Sequence, residues 1–233
     1  MTTKEAAKVL KHYGLPESGR HVFIKGCLYV LPIGFISSGV CLERSSDKRS
    51  IRLVVFQQPL YMPRDHVAFW KYEYVNQEGR AGWYFDPEPT SQAALDLCQA
   101  IRERCLPLAE KRLSVEGALE QSLADLERRP GSYYVMQDVV LSLCMLGQLE
   151  RAWSILQPMM NGARNLQRMP RPKLTLETWD SYDKNFSWAD NLYSLYVPLE
   201  EAFLAPDPAD AVKRQLEVYI EETKHAIGLA GVT

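Results

Sequence analysis

The hydrophobic pattern of this 233-residue chain changes near residues 86–89. Before that point, apolar residues form short β-branched and aromatic blocks, and after it they recur at helical spacing almost to the C-terminus. Short blocks are typical of strands, whereas helical spacing is typical of amphipathic helices. The pattern therefore predicts an α+β fold in which the strands and the helices occupy separate parts of the chain.

Residues 1–90 are predicted to form a strand-rich lobe with an N-terminal helix. The helix is expected to begin at Thr2 or Thr3 and to end near Lys11, before Gly14 and Pro16. Short connections between the strands favour a mostly antiparallel five-stranded sheet. The predicted strands are 21–31, 35–44, 51–58, 67–76 and 80–86.

The fourth of these strands alternates aromatic and charged residues. Trp70, Tyr72 and Tyr74 fall on one face, and Lys71 and Glu73 fall on the other. Alternation of this kind is typical of a strand with one packed and one solvated face. We expect the aromatic face to be covered.

Residues 91–233 are predicted to form a larger, all-helical lobe that packs on the sheet, giving one compact structural unit with two lobes. N-caps at Thr90 or Ser91 and at Ser114 mark the first two helices. A long irregular connection is predicted over 161–176, because Asn161-Gly162 favours a turn and Pro170 and Pro172 do not continue a helix. The other predicted helices are 132–146, 149–157, 187–204 and 207–227.

Residues 133–160 resemble a single tetratricopeptide-like helical hairpin. The sequence at 143–152 carries the resemblance, because Leu146-Gly147 would end one helix and the small Ala152 would let the second approach closely. An array of such repeats needs about three copies for stability, and we find one. We expect one hairpin inside a compact domain.

Charge and composition narrow the function classes. The formal net charge is −2, so a global positive field for nucleic acid or membrane binding is absent. The longest nearly apolar run, 27–36, contains Pro32 and Gly34 and is about half the ~20 residues of a spanning helix. We therefore predict neither a nucleic acid nor a membrane as partner.

The cysteines and the N-terminus predict a cytoplasmic protein. The five cysteines include no C-x-x-C pair, and residues 1–8 show no secretory signal. Reduced, buried thiols are expected at all five positions, which are Cys27, Cys41, Cys98, Cys105 and Cys144. Cys98 and Cys105 lie seven residues apart on one helical face, and core packing is the favoured role for them.

No common catalytic or cofactor motif is present. The sequence lacks a G-x-S-x-G elbow, a Walker loop and a G-x-G-x-x-G turn, and its four histidines show no metal spacing. We predict no metal and no cofactor. The best candidate for catalysis is the loop with Arg64, Asp65 and His66, in which an aspartate could orient an imidazole and an arginine could hold an anion.

A basic stretch and an acidic aromatic stretch follow each other in the helical lobe. From Arg151 to Lys173 the sequence contains no acidic residue, which makes Arg164, Arg168, Arg171 and Lys173 candidate anion ligands. The stretch could equally fold back on the acidic segment that follows it.

That segment, 177–196, contains six aromatic and four acidic residues. Large rings beside carboxylates are typical of an interface that matches a basic partner, although such rings also pack well inside a fold. The predicted partner-binding residues are Trp179, Asp180, Tyr182, Asp183, Phe186, Trp188 and Asp190.

The size of the chain, the order of its lobes and its mild acidity resemble those of small bacterial cytoplasmic immunity proteins, which neutralise toxins delivered between cells. The resemblance implies a non-enzymatic inhibitor that blocks the active site of a cognate toxin, with a basic toxin domain as the partner. Two alternatives stay open. One is an enzyme that acts on an anionic substrate in the crevice between the lobes, with Arg64, Asp65, His66 and Arg80. The other is an adaptor that docks a peptide or helix on the 133–160 hairpin.

Overall fold

The computed structural model describes residues 2–45, 50–64, 66–67, 70–80, 82–111, 113–170, 186–191 and 193–232, with the backbone alone at 190 and 191. The fold is α+β, as predicted, with an N-terminal helix, an antiparallel sheet and a larger helical part. The chain forms two compact units. The sheet unit contains Met1–Leu60, Arg64–Leu113 and Glu221–Thr233, and the helical unit contains Tyr61–Pro63 and Ser114–Ile220.

The described strands are β1 His21–Ile24, β2 Cys27–Val30, β3 Ile36–Arg44, β4 Ser50–Pro59, β5 Lys71–Val75 and β6 Trp83–Tyr84. They form an antiparallel path in the order β1-β2-β3-β4-β5, and the short β6 pairs with the start of β4. The longest pairing joins β3 and β4, with Ile36 opposite Pro59 at one end and Arg44 opposite Ile51 at the other.

The described helices account for the rest of the regular structure. The sheet unit contains α1 Thr3–His12, α2 Gln92–Ala100, a π-helical segment Ile101–Cys105 and α3 Leu106–Glu110. The later helices are α4 Val115–Arg128, α5 Tyr133–Met145, α6 Leu149–Arg168, α7 Trp188–Asn191, α8 Tyr193–Phe203 and α9 Pro208–Ile227. Among these described helices, none has both the length and the apolar character that crossing a bilayer requires.

Local capping signals explain where the predicted helices begin. Thr2 caps α1 with a capping box in which the Glu5 side chain accepts from the Thr2 backbone. Ser91 accepts a hydrogen bond from the Ala94 amide at 3.2 Å, and Ser114 accepts one from the Gly117 amide at 3.1 Å. These bonds satisfy amides that a helix N-terminus otherwise leaves unpaired.

The first predicted strand, 21–31, is in fact a hairpin. Lys25 and Gly26 form its turn and have φ values of 50° and 86°. Two consecutive positive φ values are the signature of a tight two-residue hairpin turn. Lys-Gly is a weaker turn signal than Asn-Gly, and for this reason the sequence pattern did not reveal it.

One face of the sheet packs against the helices of the same unit. Alternate residues of the central strands point toward this core, because strand side chains alternate between faces. The buried cluster includes Val40, Leu42, Leu53 and Val55 from the strands and Val9, Leu10, Leu97, Ile101, Cys105 and Leu106 from the helical segments. Because α2 and α3 share this core, the first unit extends to Leu113, whereas the sequence predicted a boundary at residue 90.

Helix α6 continues into the region 161–176 that was predicted to be irregular and ends at Arg168, while residues 171–176 lie outside the described residues. It runs from Leu149 to Arg168 with Pro158 inside it, so the predicted turn at Asn161-Gly162 is wrong. Gly162 serves helix packing instead: a Cβ there would lie 2.6 Å from Tyr133 Oη of α5. Tertiary packing has overridden a local turn signal.

The prediction of five reduced cysteines is wrong for one pair. Cys27 and Cys41 lie opposite each other on β2 and β3, with their Cα atoms 4.1 Å apart, and form a disulfide. Their separation of 14 residues carries no pairing signal, because strand register decides which residues meet. Cys98, Cys105 and Cys144 are free and buried, as predicted.

Candidate functional site

Three tyrosines share one face at the end of the sheet. Tyr72 lies opposite Phe56 and Tyr74 lies opposite Val54, while Tyr84 of β6 lies opposite Ser50. Paired residues of neighbouring strands point to the same face, and alternate residues of β4 do so as well. Tyr72, Tyr74 and Tyr84 therefore lie on the same face of the sheet, and we call these three residues the tyrosine edge.

The rings of the tyrosine edge are open to solvent. Tyr72, Tyr74 and Tyr84 are 55%, 42% and 44% exposed, and the rings of Tyr72 and Tyr74 contact edge to face with centroids 5.5 Å apart. On the adjoining β4, Val54 and Phe56 are fully buried. The sequence prediction that Tyr72 and Tyr74 are covered is therefore wrong.

The position of β5 in the sheet explains this exposure. Among the described strands, β5 ends the path, so only β4 pairs with it. Its residues from Lys71 to Tyr74 are exposed on both faces, and only Val75 is buried in the core. Alternation predicts burial only where another layer covers the strand.

The end of β5 is nevertheless held firmly. Trp83 Nε1 donates a hydrogen bond of 2.6 Å to the Val75 carbonyl oxygen, and the Trp83 ring is buried in the core. The Arg104 guanidinium lies over that ring, 5.7 Å from its centroid. Exposed rings on a strand anchored in this way present a preorganised surface.

The acidic aromatic segment lies only partly within the described residues. Trp179, Asp180, Tyr182 and Asp183 fall outside them, and so does the side chain of Asp190. Phe186 is half-buried, and the neighbouring Ser187 hydroxyl lies 3.2 Å from the Tyr134 hydroxyl.

Trp188 is a core residue and not a surface anchor. Its side chain is fully buried, its ring stacks on Tyr133 at 4.9 Å, and Tyr193 and Tyr196 lie at 5.9 and 6.4 Å. We call Trp188, Tyr133, Tyr193 and Tyr196 the tryptophan cluster. The predicted role of Trp188 in partner binding is wrong, because rings from two other helices of the helical unit, α5 and α8, surround it.

The basic stretch is partly neutralised inside its own unit. Arg164 forms an ion pair with Glu200, which is 7% exposed, and the same guanidinium lies 5.9 Å from the Tyr193 ring centroid. The hydrogen bond to Glu200 raises the pKa of Arg164. Arg164 is therefore committed to a structural pair. Arg168 is exposed in the last turn of α6, and Arg171 and Lys173 lie outside the described residues.

The residues predicted for an enzyme lie only partly within the described residues. Asp65 lies outside the described residues, Arg64 is half-buried, and Arg80 is exposed. His66 is exposed, and its backbone carbonyl lies 3.5 Å from Gln58 Nε2. Among the described residues, no group of three or more His, Cys, Asp or Glu side chains is arranged to hold a metal ion.

The free cysteines are held as neutral thiols. Burial raises the pKa of Cys98 to about 11 and that of Cys105 and of Cys144 to about 12. A thiolate, not a thiol, is the nucleophile in cysteine chemistry. The structure therefore agrees with the core role predicted for Cys98 and Cys105.

The hairpin proposed as an adaptor surface is confirmed as a helical hairpin, but its first helix is enclosed. Gly147 ends α5 with a φ of 69°, and the Gln148 amide donates to the Leu143 carbonyl at 2.9 Å. Residues Val139 to Cys144 are buried, because α5 packs against both α4 and α6. The exposed surface of the hairpin is therefore the outer face of α6, with Arg151, Ser154 and Gln157.

Sequence reasoning identified the aromatic residues of β5 but not their exposure. The signal that could have found the surface is the charge pattern, since Lys71 and Glu73 leave β5 with no apolar face toward the core except at Val75. Comparisons with protein-family models, with curated protein sequences and with solved structures found no match.

Proposed function

We propose that this chain is a non-enzymatic protein-binding protein of the immunity type, which inhibits a cognate toxin by covering part of it with the tyrosine edge. The observation that carries the proposal is the exposure of three tyrosines on one face of the sheet, two of them on the anchored strand β5 and the third on β6. Tyrosine and tryptophan are enriched in the residues that dominate binding energy at protein interfaces.

The tyrosine edge can contact a partner through its side chains with little loss of conformational entropy. Tyrosine has two side-chain torsions, so fixing it on binding costs little while it buries a large ring and keeps a hydroxyl for hydrogen bonding. Trp83 and Val75 already fix the strand, so little backbone order has to be gained. The predicted match between a basic toxin and acidic residues stays a prediction for Asp180, Asp183 and Asp190.

The test uses a toxin encoded beside this chain. The full chain is co-expressed with that toxin, and growth is scored together with the dissociation constant of the purified pair. Replacing Tyr72 and Tyr74 with Ser is expected to weaken binding by at least about 30-fold, equivalent to about 2 kcal/mol, and to abolish protection. The matched control is Phe35→Ser, since Phe35 is 56% exposed and lies outside the tyrosine edge.

Two results would contradict the proposal in different ways. Unchanged binding by the Tyr72→Ser, Tyr74→Ser variant would remove the tyrosine edge as the site. Failure of the wild-type chain to bind or to protect against a toxin encoded beside it would remove the immunity function.

A further inference from the structure

A small depression lies beside β5 on the face opposite the tyrosine edge. It has a volume of about 230 Å³ and lies between β4, β5 and the end of α3. Its lining residues are Val55, Phe56, Gln57, Lys71, Tyr72, Glu73, Leu108 and Lys111. Drug-sized ligands occupy pockets of roughly 300–1,000 Å³, so this one suits a group of about side-chain size.

A buried glutamine fixes the wall of the depression. Gln57 is 7% exposed, and its Nε2 donates to the Lys111 carbonyl oxygen at 3.0 Å. Its Oε1 accepts from the Leu113 amide at 2.8 Å. These two bonds hold the chain after α3 against β4, and they place Lys111 at the rim near Lys71, which lies opposite Gln57.

The charges at the rim are distributed unevenly. Neither Lys71 nor Lys111 forms an ion pair with a described residue, and both line the depression. Glu73 lies opposite Val55, two residues along β5 from Lys71, which corresponds to about 7 Å. One end of the depression is therefore positive, its other end carries a carboxylate, and Val55 and Leu108 supply apolar surface.

We propose that this depression, which we call the lysine pocket, binds a carboxylate carried on a short apolar body. The carboxylate lies at the Lys71 and Lys111 end, where two ammonium groups offer charge-assisted hydrogen bonds. The apolar body packs on Val55 and Leu108. The C-terminal residue of a peptide and a free aliphatic acid both carry this chemistry.

The lysine pocket is a second recognition site, in addition to the tyrosine edge. The side chains of Lys71 and Glu73 point to the opposite face of β5 from those of Tyr72 and Tyr74. Tyr72 also lines the lysine pocket, but the charged side chains that recognise a carboxylate there, those of Lys71 and Lys111, lie outside the tyrosine edge. The two lysines can therefore be replaced while the three tyrosines stay unchanged.

Nuclear magnetic resonance titration of the full chain tests the lysine pocket. The probes are N-acetyl-Gly-Val-Leu with a free carboxylate, the same peptide as its C-terminal amide, and hexanoate. The peptide acid is expected to shift the backbone amides of Gln57, Lys71 and Lys111 with a dissociation constant of about 1 mM, since so few atoms are buried. Binding of hexanoate as well, or instead, identifies a free acid as a source of the ligand.

Matched variants separate carboxylate recognition from unspecific binding. The double variant Lys71→Gln, Lys111→Gln should weaken binding of the acid about tenfold. Glu73→Gln should tighten it about twofold, because a like charge is removed. The control Lys11→Gln, Lys213→Gln changes the net charge equally at two exposed sites elsewhere and should have no effect.

Three results would overturn the proposal. One is equal affinity for the peptide acid and its amide. Another is a double lysine variant that binds as tightly as the control variant. The third is the absence of amide shifts at the lysine pocket with any carboxylate probe up to about 20 mM.

Discussion

The tyrosine edge of the sheet unit and the tryptophan cluster of the helical unit are built from similar rings, but solvent reaches only the first. Tyr72 is 55% exposed at the end of the sheet, whereas Trp188 is fully buried among Tyr133, Tyr193 and Tyr196. Burial here depends on how many elements surround a ring. Two helices, α5 and α8, contribute three rings around Trp188, whereas a single described strand pairs with β5.

The two sites should therefore differ in what their rings do for the protein. A buried ring contributes to the free energy of unfolding through its own transfer from water and through the packing of its neighbours. An exposed ring contributes little to that free energy and remains available to a partner. Substitutions that separate these two contributions test the comparison.

The largest expected effect is the loss of Trp188. Trp188→Ala should lower the free energy of unfolding by about 3–5 kcal/mol, because it leaves a cavity among aromatic side chains. Urea denaturation followed by circular dichroism measures the change. A loss below about 1 kcal/mol would mean that Trp188 is not the centre of a packed cluster.

The next effect concerns the close approach of α6 to Tyr133 of the same cluster. Gly162→Ala places a Cβ 2.6 Å from Tyr133 Oη and should cost about 1–3 kcal/mol of stability. In a Tyr133→Phe background most of this cost should disappear, since the clashing hydroxyl is gone. Equal losses in both backgrounds would contradict the packing described for Gly162.

The ion pair beside the tryptophan cluster should show an intermediate effect. Arg164→Gln leaves the buried Glu200 carboxylate without its partner and should cost about 1–2 kcal/mol, less than for a fully buried pair, because solvent reaches Arg164. Glu200→Gln added to this variant should recover part of the loss. Arg168→Gln on the same helix is the control, and an equal loss there would refute the structural role of Arg164.

Histidines offer the same contrast between buried and exposed positions. His21 is 4% exposed, and burial lowers its pKa from the ordinary 6.5, with Arg20 acting in the same direction and Glu17 and Glu110 opposing it. The unfolded chain then binds more protons than the folded chain, so stability falls as the pH drops below 6.5, by at most about 1.4 kcal/mol per pH unit.

Substitution of His21 tests whether this residue causes the pH dependence of stability. His21→Gln should flatten the dependence of the unfolding free energy between pH 6.5 and more acidic values. His66→Gln, which replaces an exposed histidine, is the matched control substitution. A slope that survives His21→Gln would assign the effect to other groups.

The smallest effect is expected at the tyrosine edge itself. Tyr72→Ser combined with Tyr74→Ser should change the free energy of unfolding by less than about 0.5 kcal/mol, because both rings are exposed. The same denaturation experiment measures it. A loss above about 2 kcal/mol would show that the rings are covered and would remove them as a recognition surface.

The helix starts and the fold class follow from local signals in the sequence. Thr2, Ser91 and Ser114 cap their helices in the structure as their side chains predict. Features that depend on contacts between residues far apart in the sequence cannot be predicted from local signals. Gly162 looks like a turn residue until Tyr133 is placed beside it, and Cys27 meets Cys41 only through strand register.

The candidate site was the least predictable part. Alternation in β5 correctly indicates a strand, but the position of that strand in the sheet decides the exposure of Tyr72 and Tyr74, and local sequence does not encode that position. The same holds for Trp188, whose aromatic and acidic surroundings fit an interface as well as a core.

Hydroxyl-radical footprinting of the isolated full chain tests the central contrast most directly, because the rate of ring oxidation reports solvent access residue by residue. Tyr72, Tyr74 and Tyr84 are expected to react fast, while Trp188 and the buried Tyr29 react slowly. If Trp188 reacts as fast as Tyr72, or if the three tyrosines are as protected as Tyr29, the assignment of one aromatic site to recognition and the other to packing is wrong.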